Sequence, residues 1–253
     1  MSIKKNYINY TGSKHTPKIN KNLSFIKEMR TELQTTNKKY TQINELKKWY
    51  FKIIKKSKVK VKKINLNECK KWNFSENTIN HNSSQFFKVE GLRIINPYKR
   101  EVGKSGWDQP ILSEPNFKGG ILGLIRKKID DFPHYLINVK FEPGNYRLHQ
   151  LSPSLQATFS NIQRYHQGNY PDFLEYFINP KKENCEVLFK QWLSEEGGRL
   201  KFKRNLGMIV EHQGKQIKKI PDNYQWATLY QIKKLILENA IINPHLRSLV
   251  SFI

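Results

Sequence analysis

Apolar residues in the first part of the chain follow a helical period. Residues 1–20 are polar and show no period, which predicts a flexible arm. From Ser24 onward, apolar side chains recur every three or four positions, and a second pattern of this kind covers residues 43–54. We therefore predict two amphipathic helices that pack as a pair, with Ser24 as the N-cap of the first.

Beyond Gln85 the apolar residues alternate with polar ones or run continuously, which is typical of strands. Strands are predicted at residues 85–95, 120–129, 134–141, 146–151 and 207–211. The break from Asp130 to Pro133 has the length and composition of a hairpin turn. The two strands on either side of it should therefore be antiparallel neighbours.

Helical patterns return in the second half of the chain. Ser152 and Pro153 suit the N-cap and first residue of a helix that extends to Ile162. Another helix is predicted from about Thr228 to Asn239, and the Asn243–Pro244 pair should end that unit. Because strands and helices mix without a regular βαβ alternation, the predicted fold class is α+β with a mixed sheet.

Positive charge is concentrated at the N-terminus. Residues 1–71 hold twenty Lys and Arg residues against four Glu, within a net charge of +24 for the chain. We divide the chain into a basic N-terminal arm and helical segment at 1–71 and a main domain at 72–253. Such a charge suits nucleic acid or an anionic membrane surface. Because the sequence shows no zinc finger, helix-turn-helix or RNA-binding strand motif, we favour solvated lysines and expect no specific nucleic-acid partner.

The composition also bears on location. No apolar run approaches the roughly 20 residues that span a bilayer, and the start has no apolar stretch of the kind found in secretory signals. Cys69 and Cys185 lie far apart, without a His or second Cys at metal-ligand spacing, so neither a disulfide framework nor a zinc site is predicted. We expect a cytoplasmic protein that does not associate with membranes.

Several residues at the breaks between elements could carry chemistry. Trp107 and Gln109, predicted to lie in a loop, could stack on and hydrogen-bond to a base, although the sequence alone favours a Trp that anchors the loop to the core. The Gly119–Gly120 and Gly197–Gly198 pairs could bring N–H groups to an anion. Candidate acids and bases at these breaks are Glu114, Glu142, Glu195, Glu196, His134, His149 and His166. For any one of them a structural role is commoner, and only convergence in a pocket overturns it.

These residues fall in blocks that resemble the NDP-hexose 2,3-dehydratases, sugar-nucleotide enzymes that begin 2-deoxysugar biosynthesis. The similarity covers roughly residues 75–253 and keeps the order of the blocks. The blocks are GLRIINPYKREVG (91–103), WDQPILSEPN (107–116), GGILGLIRKKI (119–129), KFEPGN (140–145), HQLSPSLQATFSN (149–161), SEEGGR (194–199) and the C-terminal tail. The resemblance implies a Nudix-like α/β/α sandwich after the basic helical pair. It also implies a dTDP-linked 4-keto-6-deoxyhexose as ligand and no cofactor or metal.

The resemblance also implies a reaction in which a base removes the C3 proton and an acid helps the C2 hydroxyl to leave as water. Glu142 or His149 is the candidate base, and Tyr165 or His166 is the candidate acid. The candidate substrate-binding residues are Arg93, Arg126 and Arg199 for the diphosphate or enolate charge, Trp107 and Gln109 for the nucleobase, and Gln150 and Asn161 for sugar hydroxyls.

The sequence departs from the family pattern in length. Familiar members carry two such repeats and are about twice as long, whereas this sequence shows one, so a homodimer is expected to stand in for the fused pair. The alternatives are a catalytically inactive dTDP-sugar-binding module and a basic nucleic-acid-binding module on the same fold. In a third interpretation, the N-terminal helices build the dimer interface. Glu195 and Glu196 are followed by Gly-Gly and not by a long helix, which disfavours metal-dependent pyrophosphate cleavage.

Overall fold

The computed structural model describes residues 23–95 and 106–251. The predicted arm at 1–20 and the 96–103 part of the first motif block lie outside the described residues. The helices are Leu23–Leu33 (α1), Lys38–Thr41 (α2), Asn44–Lys56 (α3), Phe159–Ile162 (α4), Leu174–Ile178 (α5), Leu229–Ile236 (α6) and Pro244–Leu249 (α7). The strands are Trp72–Phe74 (β1), Thr78–His81 (β2), Lys88–Ile94 (β3), Trp107–Ser113 (β4), Gly120–Ile129 (β5), Phe132–Phe141 (β6), His149–Pro153 (β7), Leu155–Ala157 (β8), Cys185–Ser194 (β9), Leu200–Lys201 (β10), Arg204–His212 (β11) and Tyr224–Ala227 (β12).

Two mixed sheets organise these strands. The larger has the order β12-β6-β5-β11-β9, with β7 added beside β6 and β8 beside β5. Within it β5 and β11 run parallel, and the other pairs are antiparallel. The smaller sheet has the order β1-β2-β3-β4-β10, with a parallel β4–β10 pair. The predicted α+β class with a mixed sheet is confirmed.

Helices cover both faces of the larger sheet. Leu122 and Leu124 of β5 belong to one apolar cluster, which also contains side chains of α1, α3, α6 and α7. Ile121 and Ile125 of the same strand belong to a second cluster, with side chains of α4 and α5. Because alternate residues of a strand point to opposite faces, the two clusters lie on opposite sides of the sheet. The layers are therefore α/β/α.

The N-terminal helices contribute to the core of the main domain. Phe25 and Met29 of α1 and Leu46 and Tyr50 of α3 are buried in the first apolar cluster. The hydroxyl of Tyr50 donates to the backbone carbonyl of His149 at 2.9 Å. These helices also contact α6 and β6, so they cover the sheet as well as forming the predicted amphipathic segment. The domain boundary near residue 71 stays a prediction.

Two local predictions are confirmed. The break after β5 is a hairpin in which Asp130 and Asp131 have φ angles of 48° and 58°, as the central residues of a tight turn require. At the start of α6, the Thr228 hydroxyl accepts from the backbone N–H of Gln231, and the Gln231 side chain accepts from the backbone N–H of Thr228. This reciprocal capping box explains why the predicted helix begins there.

Other local predictions were wrong. Ser24 lies inside α1 and does not precede it. Ser152 and Pro153 belong to β7, where they pair with β6, and the helix begins only after Thr158, whose hydroxyl accepts from the Asn161 N–H. Pairing with a neighbouring strand, which no local pattern encodes, outweighs the Ser-Pro helix signal here.

The strand predicted from Tyr146 and the stop predicted at Asn243 also need correction. Residues 146–148 form a turn, in which Leu148 has a φ of 59° and its carbonyl accepts from the Glu142 N–H. Asn243 does not end a unit but caps α7, since its side chain accepts from the Leu246 N–H and Pro244 follows at the first helical position.

A buried arginine joins α1 to the centre of the sheet. The side chain of Arg126 on β5 is 0% exposed and forms ion pairs with Glu28 at 2.9 Å, Glu32 at 2.8 Å and Glu211. The Tyr135 hydroxyl donates to the second oxygen of Glu32 at 2.9 Å. Although burial opposes it, the surrounding Tyr135 and Glu32 raise the pKa of Arg126, so the guanidinium stays charged.

Among the described residues, no helix is long and apolar enough to cross a bilayer.

We predict that Arg126→Met destabilises the protein by about 3–5 kcal/mol, because it leaves the carboxylates of Glu32 and Glu211 without their cation. Urea unfolding followed by circular dichroism measures this loss. The matched control is Lys39→Met, which removes an ion pair with Asp130 whose side chains are 60% and 69% exposed. The control should cost at most about 1 kcal/mol. Equal effects of the two substitutions would contradict this account of the Arg126 cluster.

Candidate functional site

A cleft of about 450 Å³ lies between the edge of the larger sheet, the smaller sheet and α7. We call it the central cleft. Its volume falls in the range of roughly 300–1,000 Å³ that small-molecule sites occupy. Its lining combines an apolar floor with converging carboxylates, amides, amines and one imidazole. The lining residues are Phe87, Leu122, Lys140, Phe141, Glu142, Gln156, Ala157, Thr158, Asn161, Glu195, Leu200, Lys203, Asn205 and His245.

Glu142 is held at one side of the central cleft. It follows β6 directly, and its Oε1 accepts a hydrogen bond from Nε2 of Gln156 at 2.7 Å. The side chain of Asn145, in the turn after it, contacts the other carboxylate oxygen at 3.5 Å. The predicted Pro143–Gly144 turn thus positions a carboxylate that has a fixed donor and still faces the cleft. This is the arrangement expected of a general base.

A buried amine lies beside this carboxylate. Nζ of Lys140 donates to the backbone carbonyl of Gln156 at 2.9 Å. Burial lowers the pKa of Lys140, although the charge of Glu142 opposes the shift. An ammonium group has three N–H donors, so the remaining two can serve an oxygen atom bound in the cleft.

An imidazole and a second carboxylate face one another across the cleft from Glu142. Nδ1 of His245, on α7, lies 3.6 Å from Oε1 of Glu195. The same oxygen accepts from the side-chain amide of Asn205 on β11. The Asn205 carbonyl oxygen in turn accepts from the backbone N–H of Gly120 at 2.9 Å, which fixes the orientation of the amide. Imidazole and carboxylate groups are common proton-transfer groups in enzymes, so these two side chains are candidates for acid–base chemistry.

The predicted anion-binding role of Gly119 and Gly120 is replaced by a structural one. The Gly119 N–H donates to Oε2 of Glu114 at 2.9 Å, and the Gly120 N–H is taken by Asn205. Gly119 has a φ of 75°, which favours glycine. Nζ of Lys203 completes this side of the cleft, since it contacts Oε2 of Glu114 at 2.8 Å.

Three of the candidate residues from the sequence, Glu142, Asn161 and Glu195, line the central cleft. The residues proposed as alternative base, acid and sugar contact do not line it. The His149 ring is buried against Phe141, with 5.5 Å between ring centroids. Tyr165 packs against Phe159, and His166 is exposed, with Nδ1 accepting from the Gly168 N–H at 2.8 Å. Gln150 donates to the backbone carbonyl of Ala240 at 2.9 Å.

Most of the predicted phosphate- and base-binding residues lie on the smaller sheet. Arg93 pairs with Asp108 through two hydrogen bonds of 2.8 and 2.9 Å, beside a shallow pocket of about 430 Å³. Trp107 belongs to β4 and not to a loop, and its indole N–H donates to Gln109. The Gln109 amide donates to the Gly198 carbonyl at 2.8 Å, and Arg199 in that loop is exposed. Arg126, as described above, is enclosed by carboxylates.

Sequence reasoning missed Lys140, Gln156, Lys203, Asn205 and His245 as members of a site. Lys140 and Gln156 stand inside motif blocks, but lysine and glutamine carry no catalytic signal by themselves. His245 directly follows the Asn-Pro pair, which was interpreted only as the end of a helix. Its partner Glu195 lies 50 residues away in sequence, as their residue numbers show. Only the parallel pairing of β5 with β11 and the docking of α7 bring them together.

The α/β/α layers thus carry a cleft on which carboxylate, amine and imidazole groups converge, a type of site common in proteins that bind small polar ligands. The comparison with family models gives a more specific result. The model described as NDP-hexose 2,3-dehydratase matches residues 43–253. The chain belongs to the NDP-hexose 2,3-dehydratase family.

Curated relatives agree with the family match. A dTDP-4-dehydro-6-deoxy-alpha-D-glucopyranose 2,3-dehydratase of Saccharopolyspora spinosa is 36% identical over 193 residues, which are 76% of this chain and 38% of the relative. A protein of the same name from Amycolatopsis orientalis is 36% identical over 203 residues, or 76% of this chain and 40% of that protein. The chain thus spans about two fifths of the length of these relatives.

The comparison with solved structures finds an Ap4A hydrolase of C. elegans, with a TM-score of 0.31 and 15% identity over 52% of this chain and 95% of that one. A Nudix hydrolase of M. smegmatis, RenU, has a TM-score of 0.34 and 13% identity over 64% and 97% of the two chains. At these TM-scores, the Nudix-like part of the predicted fold rests on the sequence resemblance.

Within residues 23–95 and 106–251, no group of three His, Cys, Asp or Glu is placed to hold a metal ion.

Ion pairs of Glu90, on β3, stabilise the part of the smaller sheet that lines the cleft. Its carboxylate contacts Lys201 of β10 at 2.8 Å and Lys88 at 2.6 Å. The hydrogen bonds from Lys201 and Lys88 lower the pKa of Glu90 from 4.5 to about 2. The neighbouring residue Leu200 lines the central cleft. The charge of Glu90 therefore stabilises one side of the site.

We predict that Glu90→Gln lowers stability at neutral pH and that the difference from wild type depends on pH. A carboxyl group whose pKa is lower in the folded than in the unfolded state stabilises the fold. This contribution is complete above the unfolded pKa, here 4.5, and is lost as the pH falls toward 2. Urea unfolding at a series of pH values should show the two proteins converging in acid. A stability difference that stays constant over this range would contradict the prediction.

Proposed function

We propose that the chain is a sugar-nucleotide 2,3-dehydratase, a carbon–oxygen lyase that removes water across C2–C3 of dTDP-4-keto-6-deoxyglucose. The family match and the names of the chain's relatives support this reaction and this substrate. The observation that carries the proposal is the convergence of Glu142, Lys140 and the His245–Glu195 pair on one cleft. The reaction needs a base, an oxygen-stabilising donor and an acid, and these residues can fill the three roles.

The proposed mechanism begins at C3, whose hydrogen is acidified by the C4 carbonyl. Glu142 takes the C3 proton, and the electron pair of the C–H bond moves toward C4, so that the C4 oxygen gains negative charge. Lys140 donates a hydrogen bond to that oxygen. The electron pair then forms the C2–C3 double bond as the C2–O bond breaks. His245 protonates the departing hydroxyl, and water leaves.

The product of this elimination is an enol, because C3 still carries its hydroxyl group. A proton added at C2 and the loss of the hydroxyl proton convert it to the 3,4-diketo sugar. The atoms balance without an oxidant or reductant, since the only net change is the loss of one water. Glu195, whose Oε1 lies 3.6 Å from Nδ1 of His245, helps to orient the ring for the acid step.

This assignment selects among the sequence-based candidates. Glu142 is retained as the base, because it lines the cleft and His149 does not. His245 replaces Tyr165 and His166 as the proposed acid, because neither of those two residues lines the cleft. Asn161 keeps its predicted contact with a sugar hydroxyl. The nucleobase and diphosphate contacts of Trp107, Gln109, Arg93 and Arg199 stay predictions.

We propose a homodimer as the working unit. The family relatives are longer than this chain, which matches only 38–40% of two of them. A second copy, related by a two-fold axis, would supply surfaces that longer relatives provide within one chain. The mass in solution, 30.1 kDa or twice that value, decides between one copy and two.

We predict that Glu142→Gln abolishes both deuterium exchange at C3 and water loss, lowering the rate by about 10²–10⁴. The amide keeps the size of the side chain and can hydrogen-bond, but it cannot accept the proton. Binding of dTDP, measured by titration calorimetry, should change little, because Glu142 is proposed to act on C3 of the sugar and not to contact the nucleotide.

The matched control for this prediction is Glu186→Gln, the same substitution at an exposed position of β9. It should leave exchange, water loss and dTDP binding unchanged. If the Glu142 variant still exchanges the C3 hydrogen at the wild-type rate, another residue is the base. If the wild-type protein binds dTDP but neither exchanges nor loses water, the chain is the inactive sugar-nucleotide-binding module.

We predict that His245→Gln retains exchange at C3 but loses water at least about 10²-fold more slowly, because the base remains and the acid is missing. His166→Gln serves as the control, since it changes an exposed imidazole outside the cleft. Mass spectrometry of the sugar nucleotide in D₂O separates the two steps. Slow water loss in the His166 variant, with normal loss in the His245 variant, would restore His166 as the acid.

A further inference from the structure

The side chain of Asn243 links the two sides of the central cleft. It is 1% exposed and stands directly before α7, the helix that carries His245. Its Oδ1 accepts from the backbone N–H of Leu246 at 2.9 Å. Its Nδ2 donates to Oε1 of Gln156 at 2.8 Å and to the hydroxyl of Ser152 at 2.6 Å. One amide therefore contacts both the helix with the proposed acid and the residue that holds the proposed base.

The direction of each hydrogen bond is fixed by the one before it. Because the helix offers an N–H, the Asn243 oxygen must face it, and the Asn243 nitrogen must then face Gln156. The Gln156 oxygen accepts from that nitrogen, so the Gln156 nitrogen points the other way and donates to Glu142 at 2.7 Å. The Ser152 hydroxyl also donates to the Gln156 oxygen, at 3.0 Å. Asn243 and Ser152 together thus determine which group of Gln156 meets the carboxylate.

We infer that Asn243 is a positioning residue for the dehydration: through Gln156 it orients Glu142, and by capping α7 it places His245 against the same substrate. This inference rests on the proposed function. Asn243 does not line the cleft, and its effect passes entirely through the two residues that do. Asn243 is 1% exposed and Gln156 is partly buried, and the wild-type orientation of the two amides satisfies their mutual hydrogen bond and the one to Glu142.

Asn243→Asp separates the capping role from the positioning role. A carboxylate still accepts from the Leu246 N–H, so α7 keeps its cap. It has no N–H for Gln156, whose oxygen then faces a carboxylate and keeps only the Ser152 hydroxyl as a donor, at 3.0 Å. We therefore expect the Gln156 amide to reverse and turn its oxygen toward Glu142. That change removes a donor from Glu142 and places an acceptor beside it, which favours the protonated acid. The other ionisable groups around Glu142 are Lys140 on its own strand and Glu195, Lys203 and His245 across the cleft, and the substitution leaves them in place.

The experiment is the pH dependence of deuterium exchange at C3 of dTDP-4-keto-6-deoxyglucose. The acidic limb is the low-pH range in which the exchange rate rises with pH. For Asn243→Asp this limb should shift to higher pH by about one unit, so that exchange at a given pH on the limb is about tenfold slower. KM should change little. Gln156→Leu removes the donor to Glu142 directly and should shift the acidic limb in the same direction. With this second variant, the test does not depend on the folding of the Asn243 variant alone.

The matched control is Thr228→Ala, which removes the cap of α6 outside the cleft. It should lower thermal stability without moving the limb. A wild-type limb in both the Asn243 and the Gln156 variants would overturn the inference and leave Asn243 as a helix cap only. A wild-type protein with neither exchange nor water loss would overturn the proposed function, and this inference with it.

Discussion

The close approach of three strands at the start of β5 is the constraint on which the candidate site depends. A side chain at Gly120 would place its Cβ 2.4 Å from the carbonyl oxygen of Ala157 on β8 and 2.9 Å from Oδ1 of Asn205 on β11. Only glycine lets β8 and β11 approach from two sides. This approach brings Gln156 and Asn205 into one cleft although they lie far apart in sequence.

The polar residues of the cleft follow from the cost of burying hydrogen-bonding groups without partners. Backbone N–H groups near the start of β5 orient Glu114 and Asn205, and the first turn of α7 orients Asn243. Each of these side chains then orients the next, toward Lys203, Glu195 and Gln156. Two of these series end at the ionisable groups Lys203 and Glu195, and the third continues from Gln156 to Glu142. Preorganised groups of this kind need little rearrangement when charge develops on a substrate.

Much of the architecture could be predicted from the sequence because it is encoded by local patterns. The Asp-Asp hairpin and the Thr228 capping box are determined by residues within a few positions of one another. Long-range strand pairing is not encoded in this way. The Ser152–Pro153 pair carried a genuine helix signal, yet its backbone is paired with β6. The sequence could therefore suggest that there were strands and helices, but not every boundary.

The site was predictable to a smaller extent for the same reason. The family resemblance identified Glu142 and Asn161, which line the cleft. It gave equal weight to Arg126, whose charge instead ties α1 to the sheet. It passed over His245, because a histidine after a Pro has no catalytic signature until Glu195 is brought beside it. Sequence motifs located the blocks that surround the cleft, whereas the choice of acting side chains required their three-dimensional arrangement.

The most direct test of the central claim is to incubate the wild-type protein with dTDP-4-keto-6-deoxyglucose in D₂O and to follow the sugar nucleotide by mass spectrometry. If the cleft holds both a base and an acid, the substrate should lose one water and the product should carry deuterium at C2. Recovery of the sugar nucleotide without water loss and without exchange at C3, in a protein that still binds dTDP, would contradict the claim.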